Sequence, residues 1–327
     1  MTDFSYNPPM RSRRQFLKSL LAGCVTFCFS RPFSQASAEV ASLPASPPSK
    51  TGGMLKRKIP KTGEEIPVIG LGTYIRYDVE LSEAQLAPRR EVIRTLYQSG
   101  GRLIDTAYVY GRAQEILARV TAELGIKEKL FLATKVWAEG RENGVGQMED
   151  SLGKLGIGRV DLMQIHNLTD WKVQMETLKE WKAAGKIRYI GITYASPWAT
   201  ARLMDVMKRE SIDFVQQIYS IAVRDVEKDL LPLAQEKGIA VLANRNFEGG
   251  DLFSRVRGKP IPEWARDFGA ATWAQFFLKY VLSHPAVTCV IPATANPTHM
   301  ADNLQAGFGR LPDERERRQM VEYFERG

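Results

Sequence analysis

Residues 99–135 read SGGRLIDTAYVYGRAQEILARVTAELGIKEKLFLATK. The apolar run Arg102 to Ile104 ends on Asp105, and the run Leu130 to Thr134 ends on Lys135. Between them Tyr110 opens a helix. Two buried strands joined by a helix make a parallel unit, and polar residues just past strand ends are where a (β/α)8 barrel collects its chemistry. Asp161 to Ile165 is a third such run, and it ends on His166.

Working outward, strand patterns recur at Val68–Gly72, Arg188–Thr193, Phe214–Tyr219, Ile239–Ala243 and Thr288–Ile291. With the three above they make eight. Helical patterns fill most gaps, at Arg90–Gln98, Gln114–Leu124, Gln147–Leu155, Trp171–Ala183, Ala199–Arg209 and Asp229–Glu236, with a later one at Trp273–Leu282. Eight alternating units favour a closed (β/α)8 TIM barrel over an open sheet. The open dinucleotide-binding alternative needs Gly-x-Gly-x-x-Gly after its first strand, and Gly70-Leu71-Gly72 is followed by Ile75 where the third glycine would stand. Met54 to Pro60 and Glu65 to Leu71 flank Lys61-Thr62-Gly63-Glu64 and predict a β-hairpin ahead of the barrel. The long segment Asn244 to Pro285 is expected to cover a site at the barrel top.

Four residues at neighbouring strand ends suit the reduction of a carbonyl. A tyrosine ionises near pH 10, so a tyrosine acting as general acid needs a neighbour that stabilises its phenolate. Lys135 supplies positive charge, Asp105 holds the ammonium, Tyr110 donates the proton, and neutral His166 positions the carbonyl oxygen. His166 could instead be a core histidine, and Asp105 with Lys135 a structural ion pair. With three histidines and one cysteine beyond the amino-terminal segment, no catalytic metal is expected.

The chain resembles the aldo-keto reductase family. The resemblance rests on Gly70-Leu71-Gly72-Thr73, Asp105-Thr106-Ala107 with Tyr110-Gly111, Thr134-Lys135-Val136-Trp137, and Asp161 to His166. It continues through Gly185 to Gly191, Gln216 with Tyr219-Ser220, and Ile291-Pro292 to Asp302-Asn303, all in family order. It implies NAD(P)H-dependent reduction of an aldehyde or ketone. It places Gly72 and Thr73 near the ribose and nicotinamide, and Gln216 at the carboxamide. The family's Ser-Asn pair is here Thr193-Tyr194, and its stacking tyrosine is here Asn244, followed by Arg245. At the adenosine end the resemblance points to Thr294, Asn296, His299, Asp302 and Asn303. Ala293 and His299 stand where members specific for the phosphorylated cofactor carry lysine and arginine. NADP is the expected cofactor, with NAD as the alternative.

Residues 1–38 read as a twin-arginine signal peptide. Ser12-Arg13-Arg14-Gln15-Phe16-Leu17-Lys18 precedes an apolar run to Phe29, and Ala36-Ser37-Ala38 offers a cleavage site. Lipidation at Cys24 ranks behind cleavage after Ala38. Residues 39–53, rich in proline and serine, read as a linker, and 54–327 as the barrel. The expected location is therefore periplasmic or otherwise exported, with the twin-arginine export machinery as a partner and no membrane span in the mature chain. Half of the net charge of +8 lies in residues 1–38, and the remainder is too small and scattered to argue for nucleic acid. Cys289, in an apolar strand, is expected to be a core residue. Because an exported reductase meets no obvious NADPH supply, a cofactor-holding sensor or binding module with little turnover is the competing reading. A third reading is an enzyme that recycles its bound cofactor between two substrates.

Overall fold

The computed structural model describes residues 52–326. The signal peptide, its cleavage and lipidation sites, and the linker up to residue 51 lie outside the described residues.

A hairpin, β1 (Lys56–Lys58) antiparallel to β2 (Glu65–Pro67), precedes eight parallel strands. These are β3 (Leu71–Gly72), β4 (Leu103–Asp105), β5 (Phe131–Val136), β6 (Val160–His166), β7 (Ile187–Tyr194), β8 (Phe214–Ile218), β9 (Ala240–Asn244) and β10 (Val287–Val290). Each pairs with its sequence neighbours, and bridges from Ile69 to Val290 and from Gly72 to Ala293 join the first strand to the last. The sheet closes into the expected barrel. Gly72 is required at that seam, because a Cβ there would stand 2.8 Å from the Ile291 carbonyl oxygen.

Strand residues alternate between lumen and helix layer. The lumen below the site is filled by Leu103, Phe131, Leu162, Tyr189, Phe214, Leu242, Cys289 and Ile291, with Ile59 and Ile66 of the hairpin closing the bottom. Phe131, Tyr189 and Phe214 form an aromatic layer, with Tyr189 5.8 Å from Phe131 and 5.4 Å from Phe214 between ring centroids. Cys289 is fully buried among them, as its sequence setting suggested. The next inward residues up are polar: Asp105, Lys135, Gln164, Thr193 and Gln216. Filling the lower lumen with apolar side chains confines solvent and ligands to the top.

The helix starts depart from the sequence reading at three places. The first, α1 (Glu83–Gln98), begins seven residues before Arg90 and carries Pro88 inside it. The proline removes one donor, and the carbonyl left unpaired belongs to exposed Ala84, where water can satisfy it. Next, α2 (Ala113–Glu123) begins just after Tyr110, leaving that residue in the turn ahead of the helix. Then α3 (Arg141–Leu155) begins six residues before Gln147. Gly144 and Gly146 weaken its sequence signal, but Gly144 packs so closely on Gln174 that a Cβ would stand 2.1 Å from Oε1. The expected helices follow as α4 (Trp171–Ala183), α5 (Thr200–Arg209) and α6 (Leu230–Lys237). The segment after β9 contains the short α7 (Asp251–Arg255) and then α8 (Trp273–Ser283). A helix the pattern missed, α9 (Pro297–Gln305), starts on Asn296 as N-cap with Pro297 in its first turn, ahead of α10 (Glu314–Glu325). Among the described residues no helix is long and apolar enough to cross a membrane.

Candidate active site

Asp105 ends β4 and is buried, and its carboxylate is the hub of the polar layer. Lys135, on the adjacent strand, donates from Nζ to Asp105 Oδ2 at 2.6 Å and to the Thr106 carbonyl at 2.7 Å. Gln164 and Gln216 both donate from Nε2 to Asp105 Oδ1, at 3.0 and 2.9 Å. Gln216 Oε1 in turn accepts from Thr193 Oγ1 at 3.3 Å and Asn244 Nδ2 at 3.2 Å. Thr73 fastens the first barrel strand to this hub, donating from both N and Oγ1 to the Asp105 carbonyl at 3.1 Å.

Tyr110 is set by a turn rather than by a helix. Its N–H donates to Ala107 O at 3.1 Å, and its carbonyl accepts from Ala113 N at 3.2 Å. Gly111 follows with φ 59°, and Asp78 caps the turn by accepting from Arg112 N at 3.2 Å. A Cβ at Gly111 would stand 2.2 Å from Asp78 Oδ1, so glycine serves here for both conformation and space. The Lys135 ammonium lies 4.9 Å from the Tyr110 ring centroid.

The ionisation states follow from burial and these neighbours. Burial opposes the Lys135 ammonium, but Asp105 and Tyr110 outweigh it and hold the lysine above its ordinary pKa. Burial pushes the Tyr110 phenol up, with Lys135 pulling it down by less than burial raises it. The sequence argument gave Lys135 the deciding influence on that phenol; desolvation decides instead, because the ring is largely enclosed. A phenol held in its protonated form remains an acid at neutral pH. His166 is pushed down to about 3, first by burial and then by Lys135, so it is a neutral imidazole. Its ring lies 6.1 Å from Tyr110 and 5.5 Å from Trp137, and among the described residues no group pairs with Nδ1. Tyr74 stands 5.0 Å from Tyr110, giving the mouth an aromatic wall of Tyr74, Tyr110, His166 and Trp137.

The fold thus brings Thr73, Asp105, Tyr110, Lys135, His166, Thr193, Gln216 and Asn244 to one end of the barrel. Gly72 borders them beside Ala293, and Thr294 accepts from Asn296 N at 3.0 Å ahead of α9. Asn303 is buried in α9, and His299 is exposed on the same helix. Arg245, with φ 51°, is half exposed and faces Glu248 at 3.8 Å. Two residues have other partners. Tyr194 packs against the helix-side core, with the Arg202 guanidinium 5.7 Å from its ring centroid. Asp302 accepts from Thr272 Oγ1 at 2.9 Å and Gln275 Nε2 at 2.6 Å, anchoring the start of α8. Gln164 had no role in the sequence argument. Its signal was an amide two residues before His166, on the inward face of a buried strand.

The family model described as "Aldo/keto reductase family" matches residues 68–318. The chain belongs to the aldo/keto reductase family. It is therefore an NAD(P)-dependent oxidoreductase. It is 30% identical over 200 residues to the aldo-keto reductase YhdN of Bacillus subtilis, covering 56% of this chain and 59% of that protein. It is 27% identical to the methylglyoxal reductase YeaE of Escherichia coli, covering 76% and 89%. Among solved structures, an aldo-keto reductase of Klebsiella pneumoniae in complex with NADPH superposes with a TM-score of 0.67 at 25% identity, covering 83% of this chain and 96% of that one. The aldo/keto reductase fold and the arrangement of its strand ends thus agree with the order of motifs in the sequence.

Proposed function

We propose that this aldo/keto reductase reduces an aldehyde or ketone to an alcohol, with Tyr110 as the general acid. The observation that carries the reading is the buried Lys135 ammonium, held by Asp105 on one side and facing Tyr110 on the other. The carbonyl oxygen sits between the Tyr110 hydroxyl and the neutral His166 imidazole, so it meets donors without meeting a second fixed cation. Trp137 and Tyr74 flank the mouth as exposed aromatic rings.

When bound there, a nicotinamide cofactor would supply the hydride for the carbonyl carbon. The residues present fit it: Asn244 Oδ1 is a buried polar atom without a partner among the described residues, on a side chain whose Nδ2 donates to Gln216 Oε1. Gln216, Thr193 and Asn244 would hold the carboxamide end. Thr73 and Gly72 would border the ribose, and Arg245 would meet the pyrophosphate. Thr294, Asn296 and the N-terminus of α9 would hold the adenosine phosphate, with Asn303 and His299 alongside. The Klebsiella pneumoniae complex supports NADP(H) as the cofactor.

Tyr110→Phe is expected to lower kcat at least about 100-fold while leaving the NADP(H) dissociation constant within about twofold. Equal turnover in that variant would remove Tyr110 from the chemistry. Export belongs to the same reading and rests on the twin-arginine motif at Arg13-Arg14 and the Ala36-Ser37-Ala38 site. Cell fractionation of the full-length chain tests it, with confinement to the cytoplasm as the refuting outcome.

A further inference from the structure

Asp105 is held by two glutamines, and the two are not equivalent. Gln216 has both ends engaged, its Nε2 on Asp105 and its Oε1 accepting from Thr193 and Asn244. Gln164 is fully buried, and among the described residues only its Nε2 is paired, with Asp105 Oδ1 at 3.0 Å. A buried amide with an unpartnered oxygen carries a desolvation cost, which its donor's bond to a carboxylate offsets.

The sheet is built around that side chain. Gln164 sits in register with Lys135 on one neighbouring strand and with Gly191 on the other. A Cβ at position 191 would stand 2.8 Å from Gln164 Cγ, so the bare glycine leaves room for the stem of the Gln164 side chain. Asp105 therefore offers Oδ2 to Lys135 and Oδ1 to the glutamines, which fixes the rotation of its carboxylate.

We infer that Gln164 is a positioning residue for proton transfer: by clamping Asp105 Oδ1 it keeps Oδ2 on the Lys135 ammonium, and so keeps that ammonium against Tyr110. It touches no reacting atom. Gln216 borders Asn244 and the ligand side of the layer, whereas Gln164 lies wholly inside it. The clamp that does not depend on what the site binds is therefore Gln164. This inference rests on the reading of Tyr110 as general acid.

Gln164→Met tests it, because methionine keeps the volume beside Gly191 and removes the donor. The readouts are kcat and KM for NADPH-dependent reduction of methylglyoxal and of 4-nitrobenzaldehyde, with thermal unfolding in parallel. The expected result is a fall in kcat of about tenfold with KM within about twofold. In an Asp105→Asn background the same substitution is expected to change kcat by less than about twofold, since the group it acts through is gone. Wild-type kcat in Gln164→Met, whether or not its melting temperature falls, would overturn the inference. So would an equal tenfold loss in the Asp105→Asn background, which marks an independent structural effect. Tyr110→Phe is run beside it. If that variant is inactive and Gln164→Met is normal, only the clamp fails; if it is active, or if the wild type turns over neither carbonyl, the general-acid reading fails and the clamp with it.

Discussion

The two ends of the barrel use ion pairs for opposite purposes. At the top, Lys135 and Asp105 are both buried, and their pair stands among groups with unfilled hydrogen-bonding capacity. At the bottom, Arg188 pairs with Glu64 of the hairpin and, at 2.7 Å, with Asp161, each about a third or less exposed, and Glu64 also accepts from the Tyr189 hydroxyl. Arg57 completes that end by donating to three carbonyls where α8 leads into β10, those of Leu282, His284 and Val287. Backbone strain divides the same way. Among the described residues, every non-glycine residue with positive φ lies in a loop that follows a strand at the top: Ile75 after β3, Asn167, Leu168 and Asp170 after β6, and Arg245 and Glu248 after β9. A bottom with its groups paired stabilises the barrel, and it supports a top that keeps strain and open valences for chemistry.

The sharpest way to break this comparison is Lys135→Met. It leaves the Asp105 carboxylate buried without its cation, and a loss of about 3 to 5 kcal/mol of unfolding free energy is expected along with the loss of turnover. Denaturant unfolding at neutral pH measures it, and a cost below 1 kcal/mol would show that the two pairs are alike.

The next effect comes from His166. Its folded-state pKa of about 3 lies below its ordinary 6.5, so between those values the unfolded chain binds a proton that the folded chain refuses. Stability is therefore lost as pH falls from about 6.5 towards 3, by about 2 kcal/mol at pH 5. Denaturant midpoints at pH 7 and pH 5 should differ by less in His166→Gln than in the wild type. An unchanged difference would assign the acid sensitivity to other groups.

The smallest effect is expected at the bottom. Arg188→Met breaks a partly exposed pair whose partners remain in contact with water, and should cost about 1 kcal/mol with kcat unchanged. A larger loss, or any loss of turnover, would show that the hairpin end is coupled to the site.

Much of this architecture was legible in order and spacing. Asp105, Lys135 and His166 could be placed because each ends an apolar run, and a parallel strand buried on both faces shows in sequence as such a run. The hairpin was legible from the turn residues Lys61 to Glu64. Helix starts were less so: Pro88, Gly144 and Gly146 depress local propensity, and packing overrides them. The roles of Asp302 and Tyr194 were hidden for a different reason. Asp302 finds its partners 27 and 30 residues back along the chain, and Tyr194 follows a residue that points into the lumen, so its ring falls to the helix side.

The sequence by itself determined the barrel, the identity of the four groups at its top and their order, because strand and helix periods and strand-end residues are local properties. Only the tertiary structure decided the ionisation of those groups and the clamp on Asp105. Burial sets Tyr110 and His166, and burial is a property of the closed barrel. Gln164 reaches Asp105 across an intervening strand, with Gly191 on its other side leaving room for its stem, and no spacing along the chain encodes that contact.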